Sequence, residues 1–225
     1  MQVYCDFDGT ISVVDGTDHV LSRLADPAWE EVETLWLEGA IDSGECMRRQ
    51  VALIRASRAE LDAVLDGIAI DPGFADFAAF CHAKGLPLTI VSDGVDYFIR
   101  RILARHGLDK FPVIANRLSI HEQGGTTRFE LVSPHARKDC TAASGVCKCA
   151  VIAPRGLRIF VGDGRSDFCV SDKPELVYAK GKLADFCADA GTAFIRYDRF
   201  AEITAHLRTA LPGLAQPLQP DTEAA

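Results

Sequence analysis

Two carboxylates stand two positions apart in "CDFDGT", where Asp6 and Asp8 follow an apolar start and precede Gly9 and Thr10. Acids at that spacing can divide chemical labour, one attacking while the other moves a proton, or they can hold a hard cation through oxygen. A second acidic pair, Asp163 and Asp167, lies in "VGDGRSDF", four positions apart and so about one helical turn from each other. Ser92, in "VSDG", adds a hydroxyl beside a Gly-flexible backbone suited to receiving an anion near a helix start. Each of these groups follows an apolar run, and in an open parallel sheet ligands collect at the carboxyl ends of strands. If the first strand persists past Cys5, Asp6 and Asp8 share one side, Phe7 takes the other, and Gly9 permits a sharp turn. A hard dication, Mg²⁺, would offset the repulsion between such acids.

The elements that must position these groups are legible as apolar runs. They recur as "MQVYCD", "LPLTIVSD", "LRIFVGD", "ELVYAK" and "TAFIRY", with helical periodicity between most of them. That alternation predicts an α/β fold, a Rossmann-like parallel sheet core. The stretch "VDYFIRRILARHG" places Val95, Ile99, Ile102 and Leu103 on one helical face, stops at Gly107, and can cross over the sheet. Downstream, "FPVIANRLSIHEQGGTTRFELV" alternates around Gly-Gly as a hairpin or a pair of edge strands. Residues 14–70 are helical in pattern with no strand run, and read as a small α-helical cap inserted after the first strand. The expected division is a catalytic core of residues 1–13 and 71–210, a cap of 14–70, and a proline-rich flexible tail of 211–225.

The 225 residues, 48% hydrophobic and 25% charged, suffice for one well-filled core plus a smaller insert. A formal net charge of -8 argues against nonspecific nucleic-acid binding, although a cation held by clustered acids can still attract an anionic ligand. No apolar run approaches the roughly 20 residues of a membrane helix, and the first residues carry no basic stretch followed by an apolar one. The expected setting is therefore cytoplasmic, without a membrane partner. Eight cysteines are spread through the chain, several inside apolar periodic segments, unlike a secreted disulfide framework. In "CTAASGVCKC", Cys140, Cys147 and Cys149 offer three thiolates where a closed zinc site takes four ligands, and His135 could supply the fourth. A structural metal and reduced loop thiols both stay open at this point. Trp29 and Trp36 are assigned to the cap's own core, with one able to face a substrate.

Taken in order, "DFDGT", "VSDG", a lysine and "GDGRSD" resemble the four motifs of the haloacid dehalogenase superfamily of phosphohydrolases. The resemblance implies that Asp6 is the nucleophile, forming an aspartyl-phosphate, and that Asp8 protonates the leaving oxygen and later activates water. It implies Mg²⁺ held by Asp6, the Asp8 carbonyl and Asp163, with Asp167 positioning the metal or its water. Ser92, with Asp93, Gly94, Thr10 and Asp15, is expected on the substrate side. The motif lysine is assigned to Lys148, which opens an apolar helical run, with Lys138 as the competitor.

A helical insert directly after the first motif is similar to the phosphoserine phosphatases. Two positions differ: the arginine that grips the serine carboxylate in that branch falls at Gln50, and its Glu nine residues after the nucleophile is Asp15. Losing a bidentate carboxylate clamp disfavours a free amino-acid substrate. The Asp15 position, the Cys-rich stretch around Lys148 and "GVDYF" after Ser92 resemble instead the methionine-salvage branch, which acts on 2-hydroxy-3-keto-5-methylthiopentenyl-1-phosphate. The expected partner is a small phosphorylated metabolite. Phosphoserine hydrolysis, transfer to an acceptor other than water, and a non-catalytic phosphate-binding module are the alternatives. A cap face or the edge hairpin could also pair subunits, so a homodimer is an open expectation.

Overall fold

The computed structural model describes residues 1–140, 142–152 and 156–214. At its centre is β1 (Gln2–Cys5), flanked on one side by β2 (Leu88–Val95) and on the other by β5 (Arg158–Gly162). The sheet continues outward through β3 (Val113–Gln123) and β4 (Thr126–Val132) on the β2 side. On the β5 side it continues through β6 (Leu176–Ala179) and β7 (Ile195–Arg196). Among the described residues, all neighbours pair in parallel except β3 and β4, the hairpin that turns at Gly124 and Gly125.

Both faces of β1 are buried, as a central parallel strand requires. Val3 and Cys5 enter one apolar cluster, while Tyr4 enters another with Val91 and Phe160. The chain winds outward from β1 to β2 and β3, then returns to β5 on the opposite side. That reversal opens a crevice at the carboxyl ends of the central strands. Cys5 is level with Ile90 and with Val161, so the segments leaving β1, β2 and β5 emerge at nearly the same height.

Helices cover the sheet. α5 (Phe74–Ala83) packs against α9 (Phe200–Leu214), with the Phe74 and Phe77 rings 5.0 and 5.1 Å from that of Phe200. α6 (Asp96–Arg105) buries Phe98, Ile99, Ile102 and Leu103 and ends just ahead of Gly107. Val95, expected on this helical face, instead closes β2, and Phe98 completes the buried stripe. α7 (Lys148–Val151) is one short turn, and α8 (Gly181–Asp189) follows β6.

Between β1 and α5 run four helices, α1 (Gly16–Leu24), α2 (Trp29–Leu37), α3 (Ser43–Ala52) and α4 (Arg58–Asp66). Three of them start on side chains that accept from their first-turn amides: Asp15, Asp42, and Ser57 with its reciprocal Glu60. Entry to and exit from this helical stretch meet where Ser12 pairs with Ile70, and the amide of Val13 donates to Ala69 O at 3.1 Å. Val20, Leu21, Val51 and Leu61 join the same apolar cluster as Phe74 and Ile102, so the insert is docked on the core. Arg101 of α6 clamps Asp66 of α4 through two bonds of 2.6 and 2.7 Å.

Two expectations need correction. β1 ends at Cys5, so Asp6 and Asp8 do not alternate on a continuing strand but occupy the loop and turn beyond it. α9 runs through Leu214, and residues 211–214 of the expected tail are therefore helical; residues 215–225 lie outside the described residues.

Candidate active site

Asp6 leaves β1 with its amide donating to Val161 O at 2.9 Å, which fixes the carboxylate over the crevice floor. Its Oδ1 accepts from the Phe7 amide at 2.7 Å and faces Lys148 Nζ at 2.8 Å. Phe7 itself is fully buried in the core, anchoring the turn. Lys148, carried at the start of α7, also pairs with Asp167 Oδ1 at 2.5 Å, and its side chain is entirely buried. Lys138, the competing lysine, is exposed. Burial disfavours the charged Lys148, but the pull of Asp167 and Asp6 prevails and holds its pKa above the ordinary lysine value.

Asp167 lies in the 3-10 helix Arg165–Val170, and its Oδ2 accepts from the amides of Asp163 and Gly164, each at 3.0 Å. Asp163 follows β5, and burial together with Asp167 pushes it up to about 6 against the hydrogen bond it receives from Thr10. Thr10, expected on the substrate side, is buried and donates from Oγ1 to Asp163 Oδ1 at 2.6 Å, propping up an acid of the floor. Gly9 adopts φ +70, and a Cβ there would lie 2.5 Å from Asp163 Oδ2, so the turn after β1 tolerates only glycine.

Asp8 points to the side of the helical insert. Its Oδ1 accepts from the Gly16 amide at 2.8 Å, and the Ser92 hydroxyl lies 3.4 Å from Oδ2. Burial, reinforced by Asp15, raises this carboxyl well above the usual range. Gly94 donates its amide to Ser92 Oγ at 3.0 Å, and any Cβ on Gly94 would collide with Asp8 Oδ2. Asp93 has its carboxylate already engaged: Oδ2 accepts from Ser43 Oγ at 3.1 Å and Oδ1 from the Val146 amide at 2.9 Å. It therefore ties the end of β2 to α3 and to the loop before Lys148. Asp15 lines the cavity, but its Oδ1 also caps α1, accepting from Thr17 and Asp18 amides at 2.8 and 3.0 Å.

Carboxylate oxygens of Asp6, Asp163 and Asp167 all lie within 4.8 Å of one another. The Asp8 carboxylate is not part of that group. Lys148 carries the one fully buried ammonium among the described residues, so ionising all three clustered acids would leave excess negative charge in low dielectric. Hard oxygen donors in that imbalance fit a hard dication such as Mg²⁺.

Above this floor is a cavity of about 550 Å³ whose far wall comes from the helical insert. Its lining also includes Glu33, Ser43 and Met47 from α2 and α3, and Arg165 and Lys182 from the core, none of them singled out by the motifs, together with Trp36. Gln50 donates to Glu33 Oε2 at 2.8 Å, so this position, which carries no carboxylate-gripping arginine, is tied to an acid of α2. Arg165 stacks across the crevice on the Trp36 ring at 5.7 Å. Trp29, by contrast, packs on the core, so only one tryptophan of the pair faces the cavity.

The arrangement matches known proteins along most of the chain. Residues 3–171 match the family model described as haloacid dehalogenase-like hydrolase. A 2-hydroxy-3-keto-5-methylthiopentenyl-1-phosphate phosphatase of Brevibacillus brevis is 30% identical over 190 residues, covering 81% of this chain and 84% of its own length. One of the same name from Geobacillus thermodenitrificans is 27% identical over 214 residues, covering 92% and 94%. Among solved structures, a substrate-bound phosphoserine phosphatase superposes with TM-score 0.65 at 21% identity, over 91% of this chain and 97% of that one, a likeness of fold. The family match, the relatives and the crevice agree: this chain belongs to the haloacid dehalogenase-like hydrolase family, as a phosphatase of phosphoric monoesters.

Proposed function

We propose that the chain is a Mg²⁺-dependent phosphomonoesterase working through an aspartyl-phosphate on Asp6, with a small, uncharged-tail metabolite ester as substrate. The observation that carries the chemistry is the setting of Asp6. Both the Phe7 amide and Lys148 bind Oδ1, which leaves Oδ2 to attack phosphorus. Asp8 gives its proton to the leaving oxygen, then takes one from the water that hydrolyses the acyl phosphate. The Ser92 hydroxyl and the backbone around Asp93 and Gly94 receive phosphoryl oxygens, while Lys148 steadies Asp6 and offsets charge on the transferring group. Mg²⁺, held by Asp6, the Asp8 carbonyl and Asp163 with Asp167 behind them, supplies neutralisation of the phosphoryl charge when bound. Residues 14–70 act as the cap over this crevice, hinged where Ser12 meets Ile70. The eight free thiols suit a reducing, cytoplasmic setting.

Substrate choice follows from the wall. The insert contributes the acids Asp15, Asp18 and Glu33 to the cavity, and no lysine or arginine among its lining residues. A carboxylate on the substrate tail would meet like charge on this wall, while the guanidinium of Arg165, which comes from the core, is stacked on Trp36. Trp36, Cys46 and Met47 offer a polarizable surface that suits a thioether. We therefore favour a methylthio-bearing enol-phosphate of the kind the curated relatives are named for.

The test compares kcat/KM on 2-hydroxy-3-keto-5-methylthiopentenyl-1-phosphate and on phosphoserine, with Mg²⁺ present and after chelation. A preference of roughly tenfold or more for the enol-phosphate is expected, since a mismatched polar group is rejected more strongly than a missing methylene. Preference for phosphoserine overturns the substrate assignment, and full activity after chelation overturns the metal requirement.

A further inference from the structure

The cysteine cluster singled out in the sequence lies outside the crevice and serves none of the chemistry above. Cys140, Cys147 and Cys149 bring their sulfurs within 4.8 Å of one another, with Cys147 and Cys149 only 3.3 Å apart. A fourth thiol adjoins them from the other side: Cys169, in the 3-10 helix Arg165–Val170, is buried, and its thiol interacts with those of Cys140 and Cys149. His135 adjoins the cluster through its backbone, its carbonyl accepting from the Cys147 amide at 3.0 Å.

We propose that Cys140, Cys147, Cys149 and Cys169 bind one zinc ion, a closed structural site that staples the Lys148 turn to the Asp167 helix. Zinc prefers four thiolates in a tetrahedron at about 2.3 Å, which sets the sulfurs about 3.8 Å apart; Cys140, Cys147 and Cys149 already lie within 4.8 Å of one another, and Cys169 closes in to complete the set. Cys140, Cys147 and Cys169 are buried, as a structural site requires. Soft sulfur donors in that geometry select zinc over the hard cation of the crevice. Binding releases the thiol protons to solvent, and Arg137 and Lys173, which interact with these sulfurs, offset the anionic charge of a four-thiolate centre.

Placement gives the ion its purpose. Cys147 and Cys149 flank Lys148, and Cys169 stands two residues beyond Asp167. One ion therefore fixes both carriers of the 2.5 Å pair between Lys148 and Asp167. Neither segment has much secondary structure to hold it: α7 spans four residues, and the other is a single 3-10 stretch. The proposal is independent of the phosphatase reading, because zinc content is measured without turnover.

Metal content of the full chain, purified without chelators or metal-affinity steps, decides it by mass spectrometry. Near-stoichiometric zinc is expected in the wild type and in Cys81→Ala, a buried cysteine remote from the cluster, with loss in Cys169→Ser and Cys149→Ser. Should those variants fail to fold, cobalt(II) exchanged into the wild-type protein keeps the question open to measurement. Intense visible bands and a thiolate-to-cobalt charge-transfer band mark tetrahedral sulfur ligation. Stoichiometric iron in place of zinc, a disulfide among these four thiols in the freshly isolated protein, or wild-type protein that neither contains nor takes up zinc would overturn it.

Discussion

Lys148 and Asp167 form a 2.5 Å ion pair in which both side chains are completely buried. The same ammonium reaches Asp6 Oδ1 at 2.8 Å, so a single cation joins the third and fourth motifs to the acid that follows the central strand. Buried pairs of this kind are weak evidence for stability in themselves, yet breaking one leaves an uncompensated charge in low dielectric.

Lys148→Met should therefore destabilise the fold by about 3 kcal/mol, the scale expected when one partner of a buried pair is lost. Activity should vanish with it, since Asp6 loses the group that orients Oδ1. Urea denaturation checks the first outcome and phosphate release the second. A variant as stable as the parent would mean that the acids are compensated by something other than this lysine.

Trp36 stands on the cap wall of the cavity, with Arg165 packed on its ring at 5.7 Å. Trp36→Ala should raise KM for the methylthio enol-phosphate roughly tenfold, about 1.4 kcal/mol, with kcat nearly unchanged, because the reacting groups are untouched. Methyl phosphate, which lacks the tail, should show little change in KM. Equal losses on both substrates would place Trp36 in general cap docking and not in tail recognition.

Far from the crevice, Glu175 accepts from the Arg158 amide and guanidinium, with Oε2 2.7 Å from the amide. The side-chain bonds from Arg158 outweigh burial and lower its pKa from 4.5 to about 2. A lowered folded-state pKa contributes stability that is present above the unfolded value and disappears as pH falls through the folded one. Glu175→Gln should thus lower the thermal midpoint relative to the parent above pH 4.5, with the difference closing as pH approaches about 2. The side chain is 44% exposed, so the effect should be small and weakened by salt. A gap that widens on acidification would contradict this account.

The floor of the site was legible because it is local to strand ends. Asp6, Asp8, Ser92 and Asp163 each follow an apolar run, and the sheet order brings those ends to one crevice. Lys148 was readable through the family's motif order, and its burial between two acids agrees with that choice. What the linear pattern did not carry depends on contacts between distant segments. Thr10 faces Asp163, 153 positions away, and nothing in "DFDGT" distinguishes that from a substrate contact. Glu33, Ser43 and Met47 reach the cavity only because α2 and α3 dock over the core, and the same docking decides that Trp36, of the two tryptophans, faces it. Asp15 carried a readable signal, since an Asp ahead of a helical run is an N-cap. Cys169 sits 20 positions beyond Cys149, inside a motif whose acids drew the attention, so no short spacing marked it as the fourth thiol.

The central claim is that Asp6 carries the phosphoryl group between two in-line transfers. Enzyme mixed with substrate and Mg²⁺, quenched during turnover and reduced with borohydride, should yield homoserine at position 6, because an acyl phosphate is reduced where a free carboxylate is not. Peptide mass spectrometry locates the change. Homoserine at position 6, absent without substrate and absent in Asp6→Asn, is the predicted result. Homoserine at another acid, or undiminished phosphate release by Asp6→Asn, would contradict it.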